Sequence, residues 1–313
     1  MRIAGYLTLL ILVACVSVFI GVKDISVWDI FNPDEEQALI LTVSRIPRTL
    51  SLILAGIGLS ISGLILQQIT QNKFVSPTTA GTLDAAKLGL LIAFLWIPQA
   101  GLFNRALLAF VFTFAASLVF LNITDRIRHR NIIFVPLVGI LFGNILSSVS
   151  SFFAYRNNIV QNVNAWLVGD FSSVLKGNYE VLFLSVPAIF ITYLYANKFT
   201  VVGMGEAFSR NLGLNYRQVV NIGLFCVSVT VSVVVITVGA IPFLGLVVPN
   251  IISLMYGDNL RKTLPYTALF GALFLLVCDI AGRLILFPFE VPIGVVVGVV
   301  GGVLFLILLF RRR

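Results

Sequence analysis

Two arginines, Arg45 and Arg48, flank Ile46-Pro47 just before the apolar stretch 49–70, and Arg283 follows Asp279 by four positions near the end of another. A guanidinium binds carboxylate through a planar fork of donors and keeps its charge, so the chemistry open to these groups is anion recognition. A charge at mid-bilayer costs at least ~2.5–3.5 kcal/mol, so arginines beside apolar runs are retained for a role or reach the interface. Two readings stay open for each: a cationic dock for an acidic partner at a membrane surface, or interfacial snorkelling of long side chains. Asp279 and Arg283, one turn apart, can also satisfy each other. Pro47 suits a first helical turn and is expected to start a helix there, turning both guanidiniums to the surface.

Other reactive constellations are missing. There is no G-x-x-x-x-G-K-[ST] loop to cradle nucleotide phosphates, no G-x-S-x-G elbow and no H-E-x-x-H. Cys15, Cys226 and Cys278 each lie inside an apolar run, and His129 is the only histidine. No metal site, cofactor or covalent chemistry is therefore expected. Besides Asp279 and Arg283, the main intramembrane charges are Asp84 and Lys87, too few for an evident ion relay.

The elements that must position these groups are membrane helices. The 313 residues are 59% hydrophobic and 11% charged, with mean hydropathy +1.04, whereas soluble domains carry about 25% charge. Apolar runs fall at about 3–22, 49–70, 84–97, 105–123, 132–154, 180–197, 219–239, 244–256, 265–286 and 292–310. That is about ten spans in a single all-α domain covering 1–313. The third and eighth runs are short and are interrupted or flanked by Gly and Pro (Gly81, Gly89 and Pro98; Gly245, Pro249 and Gly257), so they read as broken or tilted helices packed inside protein. Leu12-Val-Ala-Cys15 resembles a lipoprotein cleavage box, but Val16–Val22 stays apolar, so 3–22 is read as an uncleaved first helix. A short helix is allowed in the longer segment 155–179.

Net charge is +8, and the basic residues sit in short loops, which points to membrane orientation rather than nucleic acid. With both termini cytoplasmic, thirteen basic residues lie inside: Arg2, Lys73, Arg126, Arg128, Arg130, Lys198, Arg210, Arg217, Arg261, Lys262 and Arg311, Arg312, Arg313. Seven lie outside: Lys23, Arg45, Arg48, Arg105, Arg156, Lys176 and Arg283. The arginine dock is thus on the outer side, with the acids Asp24, Asp29, Asp34, Glu35 and Glu36 in the first outer loop.

Three blocks stand in register. The first is Arg45-Ile-Pro-Arg48, Ala55-Gly-Ile-Gly-Leu-Ser-Ile-Ser-Gly63, Gln67-Gln68 and Asn72-Lys-Phe-Val-Ser-Pro77. The second is Gly203-Met-Gly-Glu206-Ala-Phe-Ser-Arg210-Asn-Leu-Gly213. The third is Gly239-Ala-Ile-Pro-Phe-Leu-Gly245-Leu-Val-Val-Pro249-Asn, then Asp279-Ile-Ala-Gly-Arg283 and Glu290-Val-Pro-Ile-Gly294. From about Ser26 to Leu308 the chain resembles the FecCD-type permeases, the membrane subunits of ATP-binding-cassette importers for iron-siderophores, haem and cobalamin.

The resemblance implies the type II importer architecture in a bacterial cytoplasmic membrane. Its partners would be a cytoplasmic ATPase dimer, a second permease subunit (a sister chain or a copy) and an extracytoplasmic siderophore-binding protein. Arg45, Arg48 and Arg283 match positions that receive glutamates of that protein. Asn72 and Phe74 match one strip of the cytoplasmic gate, and Asn131, Ile132 and Ile133 the other. Residues 203–214 match the coupling helix that inserts into the ATPase: Gly205, Glu206, Phe208, Arg210, Leu212 and Gly213. Phe208/Leu212 and Glu206/Arg210 are i,i+4 pairs, though a plain surface loop would carry them too. Gln67 and Gln68 could face a wet conduit or be buried between helices. Gly56, Gly58, Gly63, Gly294, Gly298 and Gly302 permit close helix approach.

Where the family has Asn-Pro-Leu-Ala-Asp/Glu-Pro, this chain has Asn72-Lys-Phe-Val-Ser-Pro77 and then Thr78-Thr-Ala-Gly-Thr-Leu-Asp84. That departure resembles the subgroup handling petrobactin- and anguibactin-type ferric catecholates. Two readings from other classes are an ion-coupled secondary transporter and a membrane receptor that moves nothing. Uptake driven without an ATPase would favour the first, and docking without cargo accumulation the second.

Overall fold

Each of the ten apolar runs is helical, and the helices differ greatly in length. The computed structural model describes residues 3–21, 23, 34–126 and 133–311, with backbone only at 166 and 311. In chain order the helices are α1 (Ile3–Phe19), α2 (Glu35–Ile69), α3 (Thr82–Trp96), α4 (Leu102–Arg126), α5 (Phe134–Arg156), α6 (Val160–Leu167) and α7 (Tyr179–Leu194). They continue with α8 (Ala196–Val202), α9 (Glu206–Asn211), α10 (Tyr216–Val238), α11 (Leu244–Tyr256), α12 (Leu260–Ile285) and α13 (Ile293–Arg311). Among the described residues six helices are long and apolar enough to cross a membrane alone, and α7 with α8 makes a seventh span bent by 66°. The remaining apolar helices α1, α3 and α11 are shorter, with 17, 15 and 13 residues. Val168–Ala240 and Leu286–Phe289 are isolated β-bridges.

The centre of the bundle is α2, which packs against α10, α11 and α12. Its most apolar window is 78% buried, against 22% for α5 and for α13, whose apolar faces are left uncovered. Small residues let the backbones meet: a Cβ at Gly56 would stand 2.6 Å from the Gly271 carbonyl, and one at Gly63 would collide with the Gly245 backbone. Gly56, Gly58 and Gly63 are thus packing surfaces, whereas Gly298 and Gly302 make no such close approach.

The helix carrying Arg45 and Arg48 begins at Glu35, twelve positions before Pro47, rather than at the proline. Pro47 has no N–H to give the carbonyl four residues back, so that bond of a regular helix is lost. The chain widens into a π-helical stretch at Leu41–Arg45, and the orphaned Val43 carbonyl accepts from the Lys176 N–H at 2.9 Å. A segment distant in sequence therefore makes the interior proline tolerable.

Two short helices are short because they begin inside the bundle. Beyond α2 the chain turns back at Gln71 (φ 51°), and Pro77 packs on Gly245, which itself lies against Gly63. Gly63 is six residues before the end of α2, about 9 Å in depth. Likewise α11 starts after a bend at Gly239 and Phe243, both with positive φ. A third break, Leu167–Asp170 after α6, is pinned by Asp170 N–H to the Val238 carbonyl at 2.9 Å and Gly294 N–H to the Gly169 carbonyl at 2.9 Å. The segment 155–179 thus contains the allowed helix, but its end reaches into the bundle instead of lying over it.

Candidate functional site

At one end of α2 three arginines sit among the ends of α1 and α12. Arg48 donates from Nη2 to Asp279 Oδ1 at 2.7 Å and from Nη1 to Glu290 Oε2 at 2.7 Å. Arg283 approaches the other oxygen, Asp279 Oδ2, at 2.6 Å without hydrogen-bond alignment, so that pair is coulombic. Two cations thus share two carboxylates in a neutral cluster. The Asp279 and Arg283 side chains are 1% and 5% exposed, Arg48 13% and Glu290 30%.

Arg283 and Arg45 have a further task. The last carbonyls of a helix lack intrahelical donors. Arg283 Nη1 serves Ser17 O (2.9 Å) and Ile20 O (2.7 Å), and its Nη2 meets Ser17 Oγ (2.6 Å). Arg45 serves Val18 O (3.0 Å), Phe19 O (3.1 Å) and Lys23 O. The Arg45 guanidinium therefore points inward at the end of α1, not to the surface as its place beside Pro47 suggested. Of the three, Arg48 is the one with appreciable access to a partner.

At the opposite end, 24 residues along α2 from Ile46 to Ile69 or about 36 Å, the polar groups are amides and one lysine. Asn72 is buried and its Oδ1 accepts from the Phe74 N–H at 2.9 Å, while the Phe74 ring packs edge-on against Phe305. Lys73 reaches Asp258 (2.6 Å) and Ser253 (2.6 Å), and Asn250 donates to the Lys73 carbonyl at 2.7 Å. Gln67 and Gln68 line a cavity of about 410 Å³ with Gln71, Asn72, Lys73, Gly203 and Met204. Gln67 Nε2 is buried without a hydrogen-bond partner among the described residues. Both glutamines face the segment that leads into α9.

That segment is a short exposed knob. Gly205 (φ 110°) and Gly213 (φ 72°) bracket α9. Ser209 tacks it down by donating to Val201 O at 3.1 Å and Gly205 O at 2.8 Å. Arg210 and Glu206 pair at 2.6 Å on the solvent side. Phe208 and Leu212, 48% and 60% exposed, project with Met204 as an uncovered apolar tip. Ile133 is exposed at the start of α5, and Asn131 and Ile132 lie outside the described residues.

The presence of three arginines at apolar helices and the short helix α9 were legible in the sequence. The partners of Arg48 and Lys73 were not, because Asp279, Glu290 and Asp258 lie 231, 242 and 185 positions away. No spacing rule reaches that far.

Comparison with known proteins adds four findings. The model of the FecCD transport family matches residues 9–311. The petrobactin import system permease protein YclN of Bacillus subtilis is 52% identical over 313 residues, covering 100% of this chain and 99% of the relative. The ferric-anguibactin transport system permease protein FatD of Vibrio anguillarum is 47% identical over 296 residues, 94% of each chain. Among solved structures, an inward-facing metal-chelate type ABC transporter superposes with TM-score 0.82 at 24% identity, covering 99% of this chain and 98% of that one.

Proposed function

Because the chain belongs to the FecCD transport family, we propose that it is the membrane-spanning subunit of an ATP-driven importer that carries a ferric siderophore of the catecholate type into the cytoplasm. The observation that carries this reading is the 52% identity with a petrobactin import permease over 100% of this chain and 99% of that one. Energy comes from two copies of an ATPase on separate chains, and the uncovered faces of α5 and α13 receive a second permease subunit.

The geometry supports a division between the two ends of α2. The Arg48 end faces outward and receives carboxylates of a siderophore-binding protein. Arg48 makes the contact, while Arg45 and Arg283 hold the end of α1 behind it. Asn72 and Phe74, with Asn131, Ile132 and Ile133, form the cytoplasmic gate. The α9 knob, with Phe208 and Leu212 exposed, seats in a cleft of the ATPase. Gly205 and Gly213 supply the turns that let it project, and Glu206 and Arg210 flank the tip. Movement of the knob reaches the gate by way of the Gln67–Gln71 cavity, which both share. Both termini are cytoplasmic in this arrangement.

The test is reconstitution of this permease with its ATPase, sister subunit and binding protein in liposomes. Uptake of a ferric catecholate that requires both ATP and the binding protein is expected. Arg48→Glu should abolish binding-protein docking, partly restored by reversing an acid on that protein. Uptake driven by an ion gradient without ATPase, or unchanged docking by Arg48→Glu, would refute the respective part.

A further inference from the structure

Three breaks in helical backbone converge on one cavity of about 360 Å³, enclosed by Thr78, Asp84 and Lys87 with Gly169, Ala240 and Gly294. The Thr78–Asp84 stretch is where this chain departs from the usual family pattern, and neither the docking corner nor the knob uses it. Non-helical backbone at membrane depth is tolerated only when buried in protein or lining a wet cavity. Here three such stretches line the same space. It is also where α3, α11 and α13 begin: Leu83, Pro242 and Gly294 each line the wall. Their N-terminal ends bring the positive poles of three helix dipoles to the rim.

Lys87 and Asp84 add charge to that wall. Lys87 Nζ lies 3.2 Å from Asp84 Oδ1, and both side chains keep 21% of their surface. Asp84 is the one partner of the ammonium among the described residues, which leaves donors of Lys87 open to the cavity. Apart from the Arg48 cluster, this is the ion pair that lies within the apolar helices, where retention of charge calls for a function. The cavity borders α13, and Gly143 of α5 stands against Asp84. It therefore lies on the side of the two long helices left uncovered, where a second subunit would close it.

We propose that this cavity is a transit site for an anionic ferric chelate, with the Lys87 ammonium meeting its negative charge halfway across the membrane. The inference rests on the cargo class proposed above. A pathway must hold its cargo strongly enough to admit it and weakly enough to release it. Asp84 serves the second need by neutralising part of the lysine's field. Thr78 offers a hydroxyl beside it, and the rest of the wall is small or apolar.

The experiment uses the complete importer in liposomes with ferric catecholate-loaded binding protein, reading iron uptake and stimulated ATP hydrolysis in parallel. Lys87→Met is expected to lower uptake by about tenfold or more while ATP hydrolysis stays within about twofold, with Lys87→Arg close to the parent. Asp84→Asn is expected to lower uptake by slowing release, though less than Lys87→Met does, and the double variant to remain as defective as Lys87→Met. Lys87→Gln replaces Lys87→Met should the latter fail to reach the membrane. Undiminished uptake by both neutral Lys87 variants would overturn the proposal. So would equal loss in Asp84→Asn with recovery in the double variant, since a merely structural pair behaves that way. A parent importer that hydrolyses ATP on docking yet moves no ferric catecholate would instead refute the cargo assignment beneath it.

Discussion

The two ends of α2 solve opposite problems with similar residues. At the Arg48 end Arg48, Arg283 and Asp279 are largely withdrawn from solvent, closely paired and tied to the last carbonyls of α1. At the Gln67 end Arg210 and Glu206 also form an ion pair, but in solvent, beside apolar side chains that no described residue covers. The buried cluster fixes the geometry of helices. The exposed pair fixes little and leaves the knob ready to be gripped. The function proposed above uses that difference, with the binding protein at the rigid end and the ATPase at the projecting one.

The contrast can be broken most forcefully at Asp279. Asp279→Asn leaves two arginines facing one another with only Glu290 between them. Removing one partner of a buried charge pair costs about 3–5 kcal/mol, so a large drop in thermal stability of the detergent-solubilised protein is expected. A melting temperature equal to the parent's would show that the cluster does not hold α1 and α12 together. Next in size is Phe208→Ala with Leu212→Ala, which should leave stability unchanged. Losing two apolar anchors at ~2 kcal/mol each should eliminate co-purification of the ATPase. Retained co-purification would move the coupling contact elsewhere. The smallest effect is expected for Glu206→Gln, because an exposed i,i+4 pair contributes only about 0.3–0.5 kcal/mol. Its stability should be indistinguishable from the parent's, and a strong loss would erase the difference between the two ends.

Particular residues show what was readable in advance. The π-helical stretch before Pro47 was not: the proline suggested a helix start because local rules favour it there, but Lys176 supplies the missing donor from another segment. The short third and eighth runs were read as helices packed inside protein, and α3 and α11 do begin in the interior. Arg45 was recognised as an unusual charge, yet its burial under α1 depends on where α1 ends in space.

By itself the sequence determined that the chain is built of apolar helices, where most of them lie, the family blocks and the kinds of charge they carry. A bilayer imposes those directly, through the length an apolar run needs and the cost of any ion within it. Tertiary structure alone decided which carboxylates hold Arg48, which carbonyls bury Arg45 and Arg283, and that three broken segments meet around Lys87. Those contacts join residues far apart in the chain, and their partners are selected by helix packing through glycines such as Gly56 and Gly63, which no local spacing encodes.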